Sequence, residues 1–163
     1  RRQRQMCIRD RLGLHLGFGS SRPDRDIRDG GPDNLWALSA QKYAVVELKT
    51  DVSRDNPVII KSEAEQLTHS MTWFEQNYPE ISTPTPVLVH PSEELDAQAY
   101  VPTGTRVITQ TELDSLRRDV EAFVRQLAVD NAWSNPTTVA SALAQHDLTA
   151  DLVLQRHSRK AHR

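Results

Sequence analysis

Two short apolar segments, separated by only four residues, constrain the fold of this chain more than any other feature. Residues 35–38 (LWAL) and 43–49 (YAVVELK) have the β-branched and aromatic content that is typical of strands. Parallel strands need a connection of about a dozen residues or more, whereas antiparallel strands need only a tight turn. The two segments therefore predict a β-hairpin.

Strands and helices alternate after the hairpin. Short strands are predicted at residues 58–61, 87–90 and 106–109, with an edge strand near 97–101. Four capping signals mark the starts of helices that end near Tyr78, Leu127, His146 and His157. These signals are Ser62 with Glu65, Thr109 with Glu112, Asn135 before Pro136, and Thr149. The order predicts an α/β fold with a mixed sheet, flanking helices and a small C-terminal helical extension.

The charge is distributed unevenly along the 163 residues. The net charge is −2, but residues 1–11 and 156–163 each carry +4, which leaves −10 on residues 12–155. An acidic body disfavours a protein that coats nucleic acid through a general positive field, and it is compatible with carboxylates collected around a metal. The basic residues 156–163 are expected to form a solvated, frayed end, with a contact to a backbone phosphate as the alternative.

The length of the chain predicts a single domain, and its composition predicts a location inside the cell. No apolar run approaches the roughly 20 residues of a membrane-spanning helix, so no membrane partner is expected. The only cysteine, Cys7, excludes an internal disulfide and fits a reducing, cytoplasmic location.

The opening segment RRQRQMCIRDR is similar to translated sequencing-adapter DNA, and it lacks the apolar region of a secretory signal. We expect residues 1–11 to be non-native, residues 12–130 to form the α/β core, and residues 131–163 to form the helical extension and basic tail. An element that belongs before residue 12 is expected to be missing.

The strand at 43–49 carries two charged residues on one face. Because alternate residues of a strand share a face, Glu47 and Lys49 are neighbours, while Val46 and Leu48 point to the other side. A buried ion costs several kcal/mol unless something compensates for it. The pattern indicates either an ion pair on the solvent face of an edge strand or a site for a metal and a substrate.

Asp33 directly precedes the hairpin, which returns Glu47 toward it. Two carboxylates at short distance repel each other unless a divalent cation lies between them. Their oxygens, with the backbone carbonyl of Leu48, suit Mg²⁺ or Mn²⁺. Lys49 would then either stabilise the charge that develops on a phosphate or orient and deprotonate the attacking water. The alternative for Asp33 is a turn-capping role in a loop rich in Gly and Pro.

Pro32-Asp33 followed by Glu47-x-Lys49 on an adjacent strand resembles the pattern of the PD-(D/E)XK nuclease superfamily. The segment from GGPDNLW through QLTHSMTWFEQNYP looks like restriction-endonuclease-like domains found beside bacterial helicase or DNA-processing modules. The resemblance implies a restriction-endonuclease-like core and metal-dependent hydrolysis of DNA. It also implies that Asp33 and Glu47 bind the metal, that Lys49 is the catalytic lysine, and that Gln66 faces the active site.

Several alternatives stay open at this point. The helix that begins the superfamily core, often with a metal-binding Glu, has no counterpart here, so an inactive module that docks DNA or a helicase or ATPase partner is the second hypothesis. Gln66 equally fits an exposed position. Lys61 is a candidate contact to a phosphate and Trp73 a candidate platform for a base, although the aromatic residues of this helix also fit the core. No nucleotide-binding loop is present, because the glycines lack the strand–glycine–helix context.

Overall fold

A computed structural model describes residues 16–26 and 30–163, which form a mixed α/β fold around a six-stranded sheet. The strands lie side by side in chain order, with β1, β2 and β3 antiparallel, β3, β4 and β5 parallel, and β6 antiparallel to β5. They are β1 (Gly19–Ser21), β2 (Asn34–Ser39), β3 (Lys42–Leu48), β4 (Thr85–Val89), β5 (Arg106–Ile108) and β6 (Arg159–Lys160). The expected mixed sheet with flanking helices is confirmed.

The helices connect and cover these strands. They are α1 (Pro23–Asp26), α2 (Lys61–Asn77), α3 (Gln110–Ala128), a 3₁₀ segment (Val129–Ser134), α4 (Pro136–Gln145) and α5 (Val153–Arg156). Within residues 16–26 and 30–163, no helix is both long and apolar enough to cross a membrane. The segment 1–11, which we expected to be non-native, lies outside the described residues.

The predicted hairpin is β2 and β3. Asn34 pairs with Val46, Leu35 with Val45, and so on along an antiparallel register. Strand parity then sends Val45 to one face of the sheet and Val46 to the other, as the sequence predicted.

Apolar side chains fill both faces of the sheet. On one face α2 packs its buried Leu67 and Phe74 against side chains of the sheet, including Val45. On the other face α3 and the C-terminal helices pack against Val46 and its neighbours, with Leu116 among the buried residues. Full burial of one such side chain contributes about 1.5–3 kcal/mol, so the central strands are held from both sides.

Two predicted strands are absent and one helix begins earlier than expected. The predicted strand at 58–61 is reduced to a single bridge between Ile59 and Leu95. In place of the strand near 97–101, residues 96–99 form a turn closed by the Ala99 N–H and the Asp96 carbonyl. Helix α2 starts at Lys61 rather than after a Ser62 cap, because the Glu63 carboxylate accepts the Ile60 N–H at 3.0 Å.

The later helices agree in part with the capping signals. Asn135 caps α4 as predicted, since its Oδ1 accepts the N–H groups of Thr137 and Thr138. Thr109 donates its hydroxyl to the Glu112 carboxylate instead of completing a capping box with the backbone. The helix expected from Thr149 to His157 is shorter, because only α5 is helical there.

The two ends of the sheet were not predicted. Residues 19–34 were expected to be an irregular loop, yet they contain β1 and α1. The basic tail was expected to be frayed, but β6 pairs with β5, and Arg159 Nε donates to Glu112 Oε1 at 2.9 Å. The expectation of a frayed tail is therefore wrong for these residues.

Candidate functional site

The predicted site residues of β3 lie at the carboxyl ends of the parallel strands. Glu47 is opposite Leu88 and Leu48 opposite Val89, and the Lys49 N–H donates to the Val89 carbonyl at 2.8 Å. This edge of an α/β sheet is where ligands usually bind. Strand β3 is third of six in the sheet, so the interpretation of Glu47 and Lys49 as an edge-strand ion pair facing solvent is wrong.

Asp33 is held next to Glu47 by the hairpin. Continued by one residue, the β2–β3 register places Asp33 across from Glu47. The Leu48 N–H donates to Asp33 Oδ2 at 2.8 Å, which fixes the Asp33 carboxylate against the backbone of β3. The structure thus brings Asp33 and Glu47 together, as the sequence predicted.

Glu47 is the most confined charged residue of the site. Its side chain is 1% exposed, and its Oε1 accepts the Ser70 hydroxyl at 2.6 Å. Its Oε2 lies 3.6 Å from Lys49 Nζ and accepts no hydrogen bond from an N–H or hydroxyl group of the described residues, and the Asp33 carboxylate lies beside Glu47. A buried carboxylate oxygen without a partner is rare in native proteins and indicates a group that is completed by something else.

The pKa of Glu47 is raised from 4.5 to about 7. Burial is the largest cause, because it disfavours the charged form, and the like charge of Asp33 is the second. The Ser70 hydrogen bond and the Lys49 charge act in the opposite direction without cancelling the increase.

Lys49 and Gln66 also meet in the site. Lys49 is 18% exposed, and its Nζ donates to Gln66 Oε1 at 2.5 Å. Gln66 is exposed, which agrees with the expectation of an exposed position. Its amide oxygen nevertheless accepts a hydrogen bond from Lys49, which agrees with the expectation that it faces the site.

No family model, curated protein or solved structure matches this chain.

Four further polar residues surround the site and were not singled out from the sequence. Ser70 follows Gln66 by one helical turn on α2, so helical spacing was the signal that could have found it. The others form a cluster in which Glu63 lies 3.0 Å from Arg54 Nη2 and 3.5 Å from His90 Nε2. Burial lowers the pKa of His90, which favours the neutral ring.

A cleft of ≈ 280 Å³ lies between Lys49 of the first group and the Arg54–Glu63 pair of the second, and neither Asp33 nor Glu47 lines it. It runs from the end of β3 along the following loop to the first turn of α2. The residues that line it are Leu48, Lys49, Thr50, Asp51, Val52, Ser53, Arg54 and Glu63.

Neither of the two predicted substrate contacts is among the residues that line this cleft. Lys61 is 64% exposed and lies 3.7 Å from Glu65 Oε1, an ordinary contact across one helical turn. Trp73 is 8% exposed and packs in the core between α2 and the hairpin. A ring so buried has no free face for a nucleobase, so the stacking expectation for Trp73 is not supported.

The site offers two carboxylates as candidate oxygen ligands for a cation. No group of three or more His, Cys, Asp and Glu side chains that could hold a metal occurs within residues 16–26 and 30–163. Asp33 and Glu47 supply two carboxylates, and Leu48 borders the cleft beside them.

Proposed function

We propose that this chain is a PD-(D/E)XK-type nuclease domain with a restriction-endonuclease-like core, which hydrolyses phosphodiester bonds in DNA with Mg²⁺ or Mn²⁺. The observation that carries the proposal is the unpartnered Oε2 of Glu47, buried beside a second carboxylate and 3.6 Å from the Lys49 ammonium. Two acids and one base converge there at the open end of a sheet.

The donor set fits a hard divalent cation. Mg²⁺ usually binds through one or two carboxylates, keeps several waters and takes further oxygens from substrate phosphates. Asp33 and Glu47 supply such a pair, with the Leu48 carbonyl as a further oxygen ligand. A bound cation would polarise the scissile phosphodiester and lower the pKa of a coordinated water.

The protein's own side chains divide the remaining work. Lys49 presents positive charge to the phosphate oxygens, where charge develops as the attacking water bonds to phosphorus. Gln66 orients the lysine through its amide oxygen, and Ser70 holds one oxygen of Glu47 so that the other faces the site. In this proposal Lys61, on the first turn of α2, contacts a phosphate at the periphery of the site.

The proposed partners follow from the same function. The substrate is DNA, and a helicase or ATPase module in the same or a neighbouring chain would present it, in the cytoplasm. An inactive domain that only docks DNA or such a module is the outcome that remains if binding occurs without cleavage.

A cleavage assay tests the proposal. Linear duplex, single-stranded and branched DNA are incubated with Mg²⁺ or Mn²⁺ and with wild-type protein or the variants Lys49→Ala and Asp33→Ala. We expect each substitution to lower the cleavage rate by about 10²-fold or more, because each removes a group that stabilises the transition state.

Lys42→Ala is the matched control, since Lys42 lies at the opposite end of the same strand and contacts Asp151. It should cleave at the wild-type rate. Equal cleavage by wild type and Lys49→Ala would reject the proposal, and DNA binding without cleavage would favour the docking module.

A further inference from the structure

Arg54 lies in the loop between β3 and α2 and borders the same cleft as Lys49. Its side chain is 35% exposed. One nitrogen, Nη2, donates to the Val58 carbonyl at 2.9 Å and to both oxygens of Glu63, at 3.1 and 3.0 Å. These contacts hold the guanidinium in one place at the cleft wall.

The rest of the guanidinium remains open to a ligand. An arginine carries five N–H donors in a planar fork, and the contacts described above all use Nη2. The donors on Nε and Nη1 have no hydrogen-bond partner among the residues that the structure describes. Each of these donors can make a single charge-assisted hydrogen bond to a phosphate oxygen.

Glu63 is committed to holding Arg54 and the start of α2. Its Oε2 accepts the Ile60 N–H at 3.0 Å and lies 3.5 Å from His90 Nε2, and the residue is 9% exposed. A buried carboxylate with this many partners fixes the arginine before a ligand arrives, which reduces the entropy that binding would cost.

We infer that Arg54 binds a backbone phosphate of the nucleic acid next to the phosphate at Lys49, with Glu63 as its positioning residue. The inference deepens the proposed function and rests on it, because the position of the scissile phosphate is taken from Lys49. It assigns the ≈ 280 Å³ cleft to a segment of a sugar–phosphate strand with two successive phosphates.

Binding measured without cleavage separates this inference from the catalytic proposal. Fluorescence anisotropy of a labelled DNA duplex is followed over a series of KCl concentrations in EDTA, which keeps the DNA intact. Relative to wild type, Arg54→Ala should bind about tenfold more weakly, and its plot of log K against log [salt] should be shallower by about one, because one phosphate contact is lost.

Three variants make the result specific. Arg54→Gln removes the charge but keeps a donor for Val58 and Glu63, so it should reproduce the loss even where Arg54→Ala is less stable. Arg54→Lys should retain the wild-type salt slope and lose part of the affinity. Arg117→Ala is the control, since Arg117 also pairs with a glutamate, Glu121, but on α3.

Wild-type affinity and salt slope in both Arg54→Ala and Arg54→Gln would overturn the inference, and so would a wild-type protein that does not bind the duplex. If Lys49→Ala cleaves like wild type while the Arg54 variants bind weakly, only the catalytic proposal fails. If Lys49→Ala abolishes cleavage while the Arg54 variants bind normally, only the role of Arg54 fails.

Discussion

Glu47 makes the folded protein sensitive to pH at a single residue. Its pKa is about 7 in the folded state, against 4.5 for the ordinary carboxyl group of an unfolded chain. Between these values the folded state binds the proton that the unfolded state has already released. The contribution of this group to the free energy of unfolding is therefore fully present below pH 4.5. It decreases as the pH rises from 4.5 and is lost once the pH has passed through about 7.

Glu47→Gln removes this pH dependence while it keeps the shape of the side chain and an oxygen for the Ser70 hydroxyl. In EDTA, we expect the variant to exceed wild type in free energy of unfolding by about 3 kcal/mol at pH 8 and by less than about 1 kcal/mol at pH 5. Urea unfolding at the two pH values measures the difference. Glu121→Gln, on the exposed face of α3, serves as the control and should show no such change.

A parallel stability change of wild type and Glu47→Gln between pH 5 and pH 8 would contradict this reading of the buried carboxyl group.

Strand parity was sufficient to predict part of the site but not the remainder. Asp33, Glu47 and Lys49 are separated by one hairpin, so a period of two and a turn place them together. Ser70 and Arg54 come into position only through the rotation of α2 and the path of the loop before it, which no local pattern fixes. Trp73 packs in the core between α2 and the hairpin, and residue type alone does not distinguish that position from one open to a base.

At the scale of elements, length and apolar character together decide which strands the sequence predicts. The strands β2, β3 and β4 contain five to seven residues with strong apolar character and were predicted. The edge strands β1 (GSS) and β6 (RK) are short and polar and gave no signal, whereas β5, also of three residues, was predicted from its apolar Val107 and Ile108. Helix α2 begins at Lys61 because Glu63 satisfies the Ile60 N–H, a local capping bond that replaced the Ser62 signal.

The cap of α4 offers a test at this scale. Asn135 Oδ1 accepts two backbone N–H groups that otherwise have no partner within the helix. Asn135→Ala should lower the free energy of unfolding by about 1 kcal/mol, as measured by urea unfolding. Asn135→Asp keeps the acceptor and should stay close to wild type, and an equal loss in both variants would argue against a capping role.

At the scale of the whole molecule, the C-terminal segment closes the far side of the sheet. Arg159 reaches Glu112 on α3, and the backbone of His162 bonds to Glu93 and Leu95 in the loop after β4. Residues that are far apart in the chain are joined there. The pKa of Glu112 is lowered although burial alone would raise it, because hydrogen bonds from Thr109 and Arg159 favour the charged form.

Deletion of residues 159–163 should therefore lower the midpoint of thermal unfolding by several degrees, at roughly 2–4 °C for each kcal/mol lost. Differential scanning calorimetry at pH 7 measures the shift. Arg156→Ala breaks only an exposed contact with Asp147 at 3.6 Å and should leave the midpoint nearly unchanged. A truncated chain that melts with wild type would mean that the tail adds no stability.

The hydrogen bond from the Leu48 amide to Asp33 makes one main-chain proton a monitor of the Asp33 carboxylate. A ligand that binds the Asp33 carboxylate competes with this hydrogen bond. Binding at this carboxylate should therefore change the chemical shift of the Leu48 amide proton, which lies in the central strand β3.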